Sequence, residues 1–308
     1  MDFPKITVAI VAHNSGRIIG DCIQSVITQE YPKDRYDIVV VDDSNDEDTI
    51  RICKQNGVRY IYAPEANSPG KGRNIALKNA TGEIIAFIDT DCIAPRDWLI
   101  KIVKDFAENP DVVGVVGGFS GGKNWLQRLV NKEHVRNLKV KGYSTGFLEG
   151  NCAFKLNGLN GLKFGEYKYA EGIVLAKQLS AKGLFVLTDY DLRVIHKGFT
   201  HTLRKFFKMG RAHYHNTRSY LGDVLKSDLS ALAVVFSLVL LLVGVLFKIL
   251  VFAIPALLIS GMFIVYAHKW HSPVPLLKIV PSYLYFLIAR WIFWLGYFRE
   301  FVKPEKVG

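Results

Sequence analysis

The chain has 308 residues, 50% of them hydrophobic, and it carries a formal net charge of +11 at pH 7. Charged and turn residues lie mainly before about residue 225 and long apolar runs lie after it, which excludes an evenly mixed soluble chain and predicts a soluble half followed by a membrane half. The spacing of the four cysteines excludes a paired metal-binding motif, and we expect reduced thiols.

The soluble half alternates predicted strands and helices. The hydrophobic pattern predicts strands at 6–12, 36–41, 58–62, 83–88 and 112–118, and helices at 15–28, 48–56, 70–80 and 125–140. This alternation predicts an α/β domain with a mostly parallel sheet. Ligands of open α/β sheets bind at the carboxyl ends of the strands, so we expect the polar pairs that follow three of the strands to converge there. These pairs are His13-Asn14, Asp42-Asp43 and Asp89-Asp91.

Asp89 and Asp91 are two residues apart and directly follow an apolar strand. Two carboxylates so placed can face one hard cation, and oxygen ligands favour Mg²⁺ or Mn²⁺. Such an ion could bridge the two phosphates of a nucleotide sugar and neutralise the charge that develops as the diphosphate leaves. The alternative is that the pair caps the next helix, because Asp91 lies shortly before Pro95 and Trp98.

Four segments occur in a fixed order: AIVAHN at 9–14, VVVDDS at 39–44, GKGRN at 70–74 and FIDTD at 87–91. In order and spacing they resemble the family 2 glycosyltransferases, across roughly the first 200 residues. The resemblance implies the GT-A fold, a Rossmann-like, mostly parallel mixed sheet, as a catalytic domain over residues 1–200. It also implies a nucleotide-diphosphate sugar as the donor substrate.

The same resemblance assigns roles to individual residues. It implies that the metal binds Asp89 and Asp91, and that Lys71 and Arg73 lie near the nucleotide phosphates. On charge alone, a solvated helix start explains Lys71 and Arg73 equally well. The residues that the resemblance places around the nucleoside are Ala12, His13, Asn14, Asp42 and Asp43.

Three later features extend the resemblance. The glycine-rich stretch 146–154 is similar to the family's segment beneath the donor sugar and the acceptor, which implies donor contacts at Gly150 and Asn151; an ordinary turn is the alternative. The stretch that begins at Glu171 is similar to a family segment that ends in Glu-Asp. The Asp of that segment is the general base of inverting members, and in this sequence Gly172 stands at the position of that Asp. His196 matches a histidine that can approach the metal or the diphosphate, with a structural histidine as the alternative.

Gly172 bears on the acceptor. A sugar hydroxyl needs a carboxylate to take its proton, and Glu171 would have to do so. A phosphate monoester is already largely ionised at pH 7 and needs no base. We therefore predict a metal-dependent inverting enzyme, with Asp91 and Glu171 as catalytic residues, which transfers a sugar to polyprenyl (dolichyl) phosphate, as the polyprenyl-phosphate sugar synthases do. The alternatives are transfer to a lipid-linked saccharide or polysaccharide with Glu171 as base, and a non-catalytic GT-A-like membrane scaffold.

Residues 201–226 are predicted to form a basic amphipathic segment at the membrane surface. Eight Lys or Arg and a single acid fall between Arg193 and Lys226, which together contribute +7 of the formal charge. Lys and Arg beside a membrane helix favour the cytoplasmic side, and cations there attract anionic headgroups. The residues predicted to hold an acceptor phosphate, or to anchor the chain, are Arg204, Lys205, Lys208 and Arg211.

Residues 227–308 are predicted to form a membrane domain with two or three helices, at about 229–247, 249–267 and 279–298. The first two runs contain no charge, whereas the third carries Arg290 and several aromatics and fits either a span or an interfacial helix. With no cleavable signal peptide visible, we expect an integral protein of the plasma or an equivalent membrane with a cytoplasmic catalytic domain. The expected partners are the nucleotide sugar, a lipid acceptor and the bilayer, without nucleic acid; a homo-oligomer stays open.

Overall fold

The structure is a computed structural model that describes residues 3–121, 137–143, 149–166 and 171–197, and in addition residues 204, 207, 208, 210, 211, 214, 288, 291–296 and 299. The chain divides into two compact units, Met1–Thr200 and His201–Gly308. Of the second unit, only these few helical residues are described.

Nine strands in the described part of the first unit form one mixed sheet. They are β1 (Ile6–Ala12), β2 (Tyr36–Asp42), β3 (Arg59–Tyr62), β4 (Ile84–Ile88), β5 (Cys92–Ile93), β6 (Val112–Ser120), β7 (Lys139–Gly142), β8 (Asn151–Lys155) and β9 (Phe185–His196). Their order is β3-β2-β1-β4-β8-β6-β9-β5, with β7 also paired to β9. The first four strands of this order are mutually parallel, and β8 joins β4 to β6 in antiparallel pairing. The predicted α/β class with a mixed sheet is confirmed.

Helices cover both faces of this sheet. They are α1 (Ile19–Ile27), α2 (Glu47–Gln55), α3 (Pro69–Asn79), α4 (Trp98–Glu108) and α5 (Glu171–Ala181), with short 3₁₀ turns at Lys33–Arg35 and Leu156–Leu159. One apolar cluster joins α1, α2 and α4 to one face, and a second joins α3 and α5 to the other. Strands β1 and β4 are apolar on both faces because each face is covered by helices.

Most predicted boundaries agree with the structure to within one or two residues, and two predicted helices differ more clearly. The helix expected from residue 15 begins at Ile19, because Asn14 has a left-handed φ of 49° and a tight turn follows, in which Ile18 N donates to Ser15 O. The helix expected at 125–140 is wrong at its end, since residues 139–140 belong to β7. There the backbone pairs with β9, and Lys139 donates to Asp105 on α4 at 2.5 Å, so a long-range contact overrides the local pattern.

Among the residues that the structure describes, no helix has the length and apolar character needed to cross a membrane. The predicted membrane helices at 229–247 and 249–267 lie outside the described residues, as does most of 201–226. Of the predicted segment 279–298, residues 288 and 291–296 are described and are helical.

Candidate active site

The ends of β1, β2 and β4 lie side by side at one edge of the sheet. Ala12 is paired with Asp42 in parallel register, and β4 pairs with β1 on its other side. The turn after β2 is tied to the end of β1 because Asp43 N donates to Ala12 O at 3.4 Å. The polar residues that follow the strands are thereby gathered at this edge, as parallel strands require.

His13 and Asp43 form an exposed pair at this edge. The Nδ1 atom of His13 lies 2.6 Å from Oδ1 of Asp43, and 67% of the histidine side chain is exposed. Asn14 N donates to Ser44 Oγ at 2.8 Å, which holds the two turns together. The left-handed φ of Asn14 suits this residue type, whose side chain tolerates that region. The pair thus presents an oriented imidazole ring to solvent.

Asp42 has a different environment from Asp43. It is fully buried, and its carboxylate accepts hydrogen bonds from Ser44 N at 3.0 Å, Ser44 Oγ at 2.6 Å and Tyr60 Oη at 3.0 Å. The pKa of Tyr60 is raised, mainly by burial and in the second place by its hydrogen bond to Asp42. The structure therefore uses Asp42 to shape the turn, and it is Asp43 that faces the open edge.

Asp91 and His196 come together through strand pairing. The two-residue strand β5 pairs antiparallel with the end of β9, Cys92 opposite His196. As a result His196 Nε2 lies 3.6 Å from Asp91 Oδ1, and the imidazole packs edge-on against Phe119 at 4.8 Å between ring centroids. Lys197 N donates to Asp91 O at 2.9 Å and fixes the loop.

These residues fit a hard divalent cation. The potential ligand atoms of Asp91, Cys92 and His196 all lie within 4.8 Å of one another. The pKa of the Cys92 thiol is raised, first by burial and then by the charges of Asp89 and Asp91, which disfavours a thiolate ligand here. Carboxylate oxygen and imidazole nitrogen remain, a donor set that suits Mn²⁺ or Mg²⁺ and does not require thiolate.

Arg73 lies in a buried ion-pair cluster. Its Nη2 donates to Asp89 Oδ1 at 2.8 Å and its Nη1 donates to Glu171 Oε1, while the guanidinium lies 5.9 Å from the centre of the Phe164 ring. Only 5% of the Arg73 side chain is exposed, so this residue is not part of a solvated helix start. Lys71 is the more accessible cation of the pair, and its Nζ donates to Asn67 Oδ1 at 3.1 Å.

Two glycines allow α3 to bring Arg73 to this position. A Cβ at Gly70 would lie 1.7 Å from Gly165 O, and a Cβ at Gly72 would lie 2.5 Å from Val11 Cγ1. Ser68 caps the helix by accepting from Lys71 N at 3.3 Å. The two glycines of GKGR are thus explained by close packing of the helix, at Gly70 on Gly165 and at Gly72 on β1.

Glu171 begins α5 and has a neighbour that the sequence patterns missed. Burial raises the pKa of Glu171, and the charge of Arg73 opposes this rise. Glu149 lies beside it, and its Oε1 accepts a hydrogen bond from Gly172 N at 2.7 Å. The pKa of Glu149 is raised to about 8. Burial is the largest cause and the charge of Glu171 the second, while the charge of Arg73 acts in the opposite direction. The one indication of this neighbour in the sequence was that the glycine-rich segment 146–154 contains an acid, Glu149.

Gly150 and Asn151 follow Glu149 and do different work. A Cβ at Gly150 would lie 2.1 Å from Asp89 Oδ2, so only glycine leaves room for that carboxylate. Asn151 is fully buried; Trp98 Nε1 donates to its Oδ1 at 2.9 Å, and its Nδ2 donates to two strand carbonyls at 2.8 Å. The expected donor contact at Asn151 therefore does not match this placement, because its amide is used to lock β8 into the sheet.

The cations predicted to hold an acceptor phosphate belong to the second unit. Arg204 and Lys208 are helical and exposed, and Arg211 is helical and half-buried. Lys205 lies outside the described residues.

Comparison with known proteins found similarity to one family within the first unit. The model of Glycosyl transferase family 2 matches residues 7–158. Glycosyltransferase AglE of Haloferax volcanii is 30% identical over 120 residues, which are 37% of this chain and 39% of the relative. The poly(ribitol-phosphate) beta-glucosyltransferase of Bacillus spizizenii is 32% identical over 201 residues, 61% of this chain and 31% of the relative.

A further relative acts on a dolichyl-linked substrate by its name. The glucosyl-dolichyl phosphate glucuronosyltransferase of Haloferax volcanii is 28% identical over 119 residues, 37% of either chain. The chain thus spans less than two fifths of the length of these three relatives.

Among solved structures, the mannosyltransferase PcManGT from Pyrobaculum calidifontis, in complex with GDP-Man and Mn²⁺, has a TM-score of 0.66 over 99% of this chain and 89% of its own. At a sequence identity of 16%, this structural similarity shows a shared fold alone. The GT-A architecture of the first unit is confirmed.

Proposed function

We propose that this chain is a metal-dependent glycosyltransferase that transfers a sugar from a nucleotide-diphosphate sugar to a lipid acceptor. One observation carries the proposal: the His13–Asp43 pair and the Asp91–His196 pair lie at strand ends of a GT-A sheet. The family 2 model matches residues 7–158, which hold three of these four residues. The carboxyl edge of an open α/β sheet is where such folds bind their ligands.

The donor would lie along this edge. The exposed imidazole of His13, oriented by Asp43, would contact the nucleoside together with Ala12 and Asn14. Lys71, two residues before the buried Arg73, would reach the phosphates. Lys71 has the required charge and is half-buried near the surface, whereas both Nη atoms of the Arg73 guanidinium are occupied by carboxylates.

The metal would be held by Asp91 and His196, with Asp89 beside them. When bound, a divalent ion neutralises charge on the diphosphate leaving group. The similarity to PcManGT, solved with GDP-Man and Mn²⁺, supports the use of such an ion. Mg²⁺ and Mn²⁺ both suit the ligand set.

The lipid acceptor that the sequence favours is polyprenyl phosphate. The basic segment 201–226 would hold a phosphate at the surface of a membrane, on the cytoplasmic side of a plasma or equivalent membrane. A phosphate acceptor also needs no general base. The relative whose name specifies glucosyl-dolichyl phosphate supports a polyprenyl-linked substrate of some kind.

A hydroxyl of a lipid-linked saccharide is the second candidate acceptor. A specific observation favours it: the carboxyl group of Glu149 lies at Gly172, so that a proton acceptor other than Glu171 is available. Gly172 therefore does not by itself exclude an acceptor that needs a general base.

The test uses the full-length protein in membranes, a panel of radiolabelled nucleotide sugars, and Mn²⁺ or Mg²⁺. Label that enters organic-extractable lipid only when polyprenyl phosphate is added supports the first acceptor, and label that requires a preformed lipid-linked saccharide supports the second. Asp91→Asn should abolish transfer, whereas the exposed control Asp97→Asn should keep it. Equal activity of these two variants would contradict the proposed metal site.

A nucleotide-binding measurement separates the enzyme from a non-catalytic scaffold. A nucleoside diphosphate with Mn²⁺ at a hundred times its dissociation constant should stabilise the wild type by about 2.7 kcal/mol. Asp91→Asn should lose most of this protection. A wild type without metal-dependent protection and without transfer to any acceptor would refute the proposed function.

A further inference from the structure

The side chain of Glu149 fills the place where a side chain of residue 172 would begin. Glu149 Oε1 accepts from Gly172 N at 2.7 Å. A Cβ built on Gly172 would lie 2.5 Å from that oxygen and 3.0 Å from both Cγ and Cδ of Glu149. A residue with a side chain at 172 and the present position of Glu149 therefore exclude each other, and the glycine is what admits the glutamate.

Glu171, the other acid at this place, is poorly suited to take a proton. Its side chain is 6% exposed and bound to Nη1 of Arg73, whose Nη2 holds Asp89. Protonation of Glu171 would remove a buried ion pair and leave the positive charge of Arg73 balanced by Asp89 alone. Such a change is costly for a buried charge. A proton acceptor for the reaction has to be sought elsewhere.

Glu149 has the properties that such a group needs. Its carboxyl group accepts hydrogen bonds from the backbone of Glu149 and Gly172, and the charged groups that face it are Glu171 and Arg73. The next residue, Gly150, packs directly on the Asp89 carboxylate, so Glu149 lies beside the proposed metal edge. Its pKa of about 8, raised by burial and by Glu171, lies near the pH at which the protein would work, where a general base is most effective.

We infer that Glu149 is the general base for transfer to a hydroxyl acceptor, in the place of the carboxylate that Gly172 lacks. This inference rests on the glycosyl transfer proposed above and selects its second acceptor class. The carboxylate of Glu149 takes the proton of the acceptor hydroxyl, and the oxygen forms a bond to the anomeric carbon from the side opposite the diphosphate. The bond from that carbon to the diphosphate oxygen breaks, the diphosphate leaves with the electron pair, and the configuration is inverted.

The first test compares Glu149→Gln with the wild type, as full-length protein with the nucleotide sugar and hydroxyl acceptor that the panel identifies. We expect kcat to fall by about 10² to 10⁴, the usual contribution of a general base. The KM for the donor and the Mn²⁺-dependent thermal protection by nucleoside diphosphate should not change, which shows that the variant folds and binds. The matched control is Glu166→Gln, which changes an exposed acid paired with Lys163.

The second test moves the carboxylate. Glu149→Ala vacates the space, and adding Gly172→Asp places a new carboxylate there from a different backbone position. The double variant should be at least tenfold more active than Glu149→Ala alone. A purely structural role of Glu149 would not be rescued in this way, because the hydrogen bond to Gly172 N stays lost.

The outcomes separate the two proposals. If the wild type transfers sugar to a hydroxyl acceptor and Glu149→Gln retains more than half of its kcat, the inference is overturned and the glycosyltransferase proposal stands. The inference also fails if transfer occurs only to added polyprenyl phosphate. Absence of transfer and of nucleotide binding in the wild type removes both proposals together.

Discussion

Replacing Arg73 by glutamine should lower the free energy of unfolding of the first unit by about 3–5 kcal/mol at pH 8, the usual cost of removing one partner from a buried ion pair. The guanidinium is the shared cation of Glu171, which is 6% exposed, and of Asp89. Without it, two carboxylates lie close together with no opposite charge, in a place where water cannot solvate Glu171.

The size of this effect should depend on pH. Burial raises the pKa of Glu171, and loss of Arg73 removes the charge that opposes this rise. A carboxyl group with a raised pKa favours the folded state at low pH, and this contribution is lost as the pH rises through its folded pKa. The variant should therefore be closer to the wild type at pH 5 than at pH 8.

Pulse proteolysis of the full-length protein in detergent, across a urea titration, measures the fraction folded of the first unit without requiring the whole chain to unfold in one step. Lys71→Gln is the matched control from the same helix turn and should change the stability by less than about 0.5 kcal/mol. A cost below about 1 kcal/mol for Arg73→Gln at pH 8 would refute the buried cluster. It would restore the expectation that Arg73 reaches the nucleotide phosphates.

Two further predictions concern the glycine-rich segment. With a hydroxyl acceptor, kcat should increase with pH up to about pH 8, because burial and Glu171 raise the pKa of Glu149 and only its ionised form accepts a proton; this increase should be absent in Glu149→Gln. Gly150→Ala should displace the Asp89 carboxylate and raise at least tenfold the Mn²⁺ concentration needed for thermal protection by nucleoside diphosphate. Gly142→Ala, with open space around its Cβ, should leave that concentration unchanged.

The sequence predicted best what depends on local pattern. Strands β1, β2 and β4 are continuous apolar runs, and their ends carry the polar pairs that the structure gathers at one edge. Strand β5 was missed because two residues are too few to form a hydrophobic pattern. The end of the helix predicted at 125–140 was wrong because residues 139–140 pair with a strand about 50 residues away in the chain.

Within the candidate site, the sequence indicated residue types and could not indicate their partners. Charge alone did not distinguish Lys71 from Arg73, although only Arg73 is buried between two acids. Gly172 was interpreted as the loss of a carboxylate, because the glutamate that occupies the space is 23 residues away. Such compensation by a distant residue is visible only when the backbone brings the two segments together.

Strand β9 has a consequence for how the site tolerates change. It pairs with β6 from Phe185 to Ile195, with β7 at residues 186–189 and with β5 at its last two residues. The position of His196 is therefore set by the strand ladder and not by a loop. The register of β9 with β6 shifts between Thr188 and Arg193 and is regular from Arg193 onward. Because successive side chains of a strand point to opposite faces, inserting a single residue between Arg193 and His196 would turn the imidazole away from Asp91. The protein should remain folded and yet lose one of the proposed metal ligands. The geometry of this site depends on strand register, and length changes should be tolerated in the loops around β9 but not between Arg193 and His196.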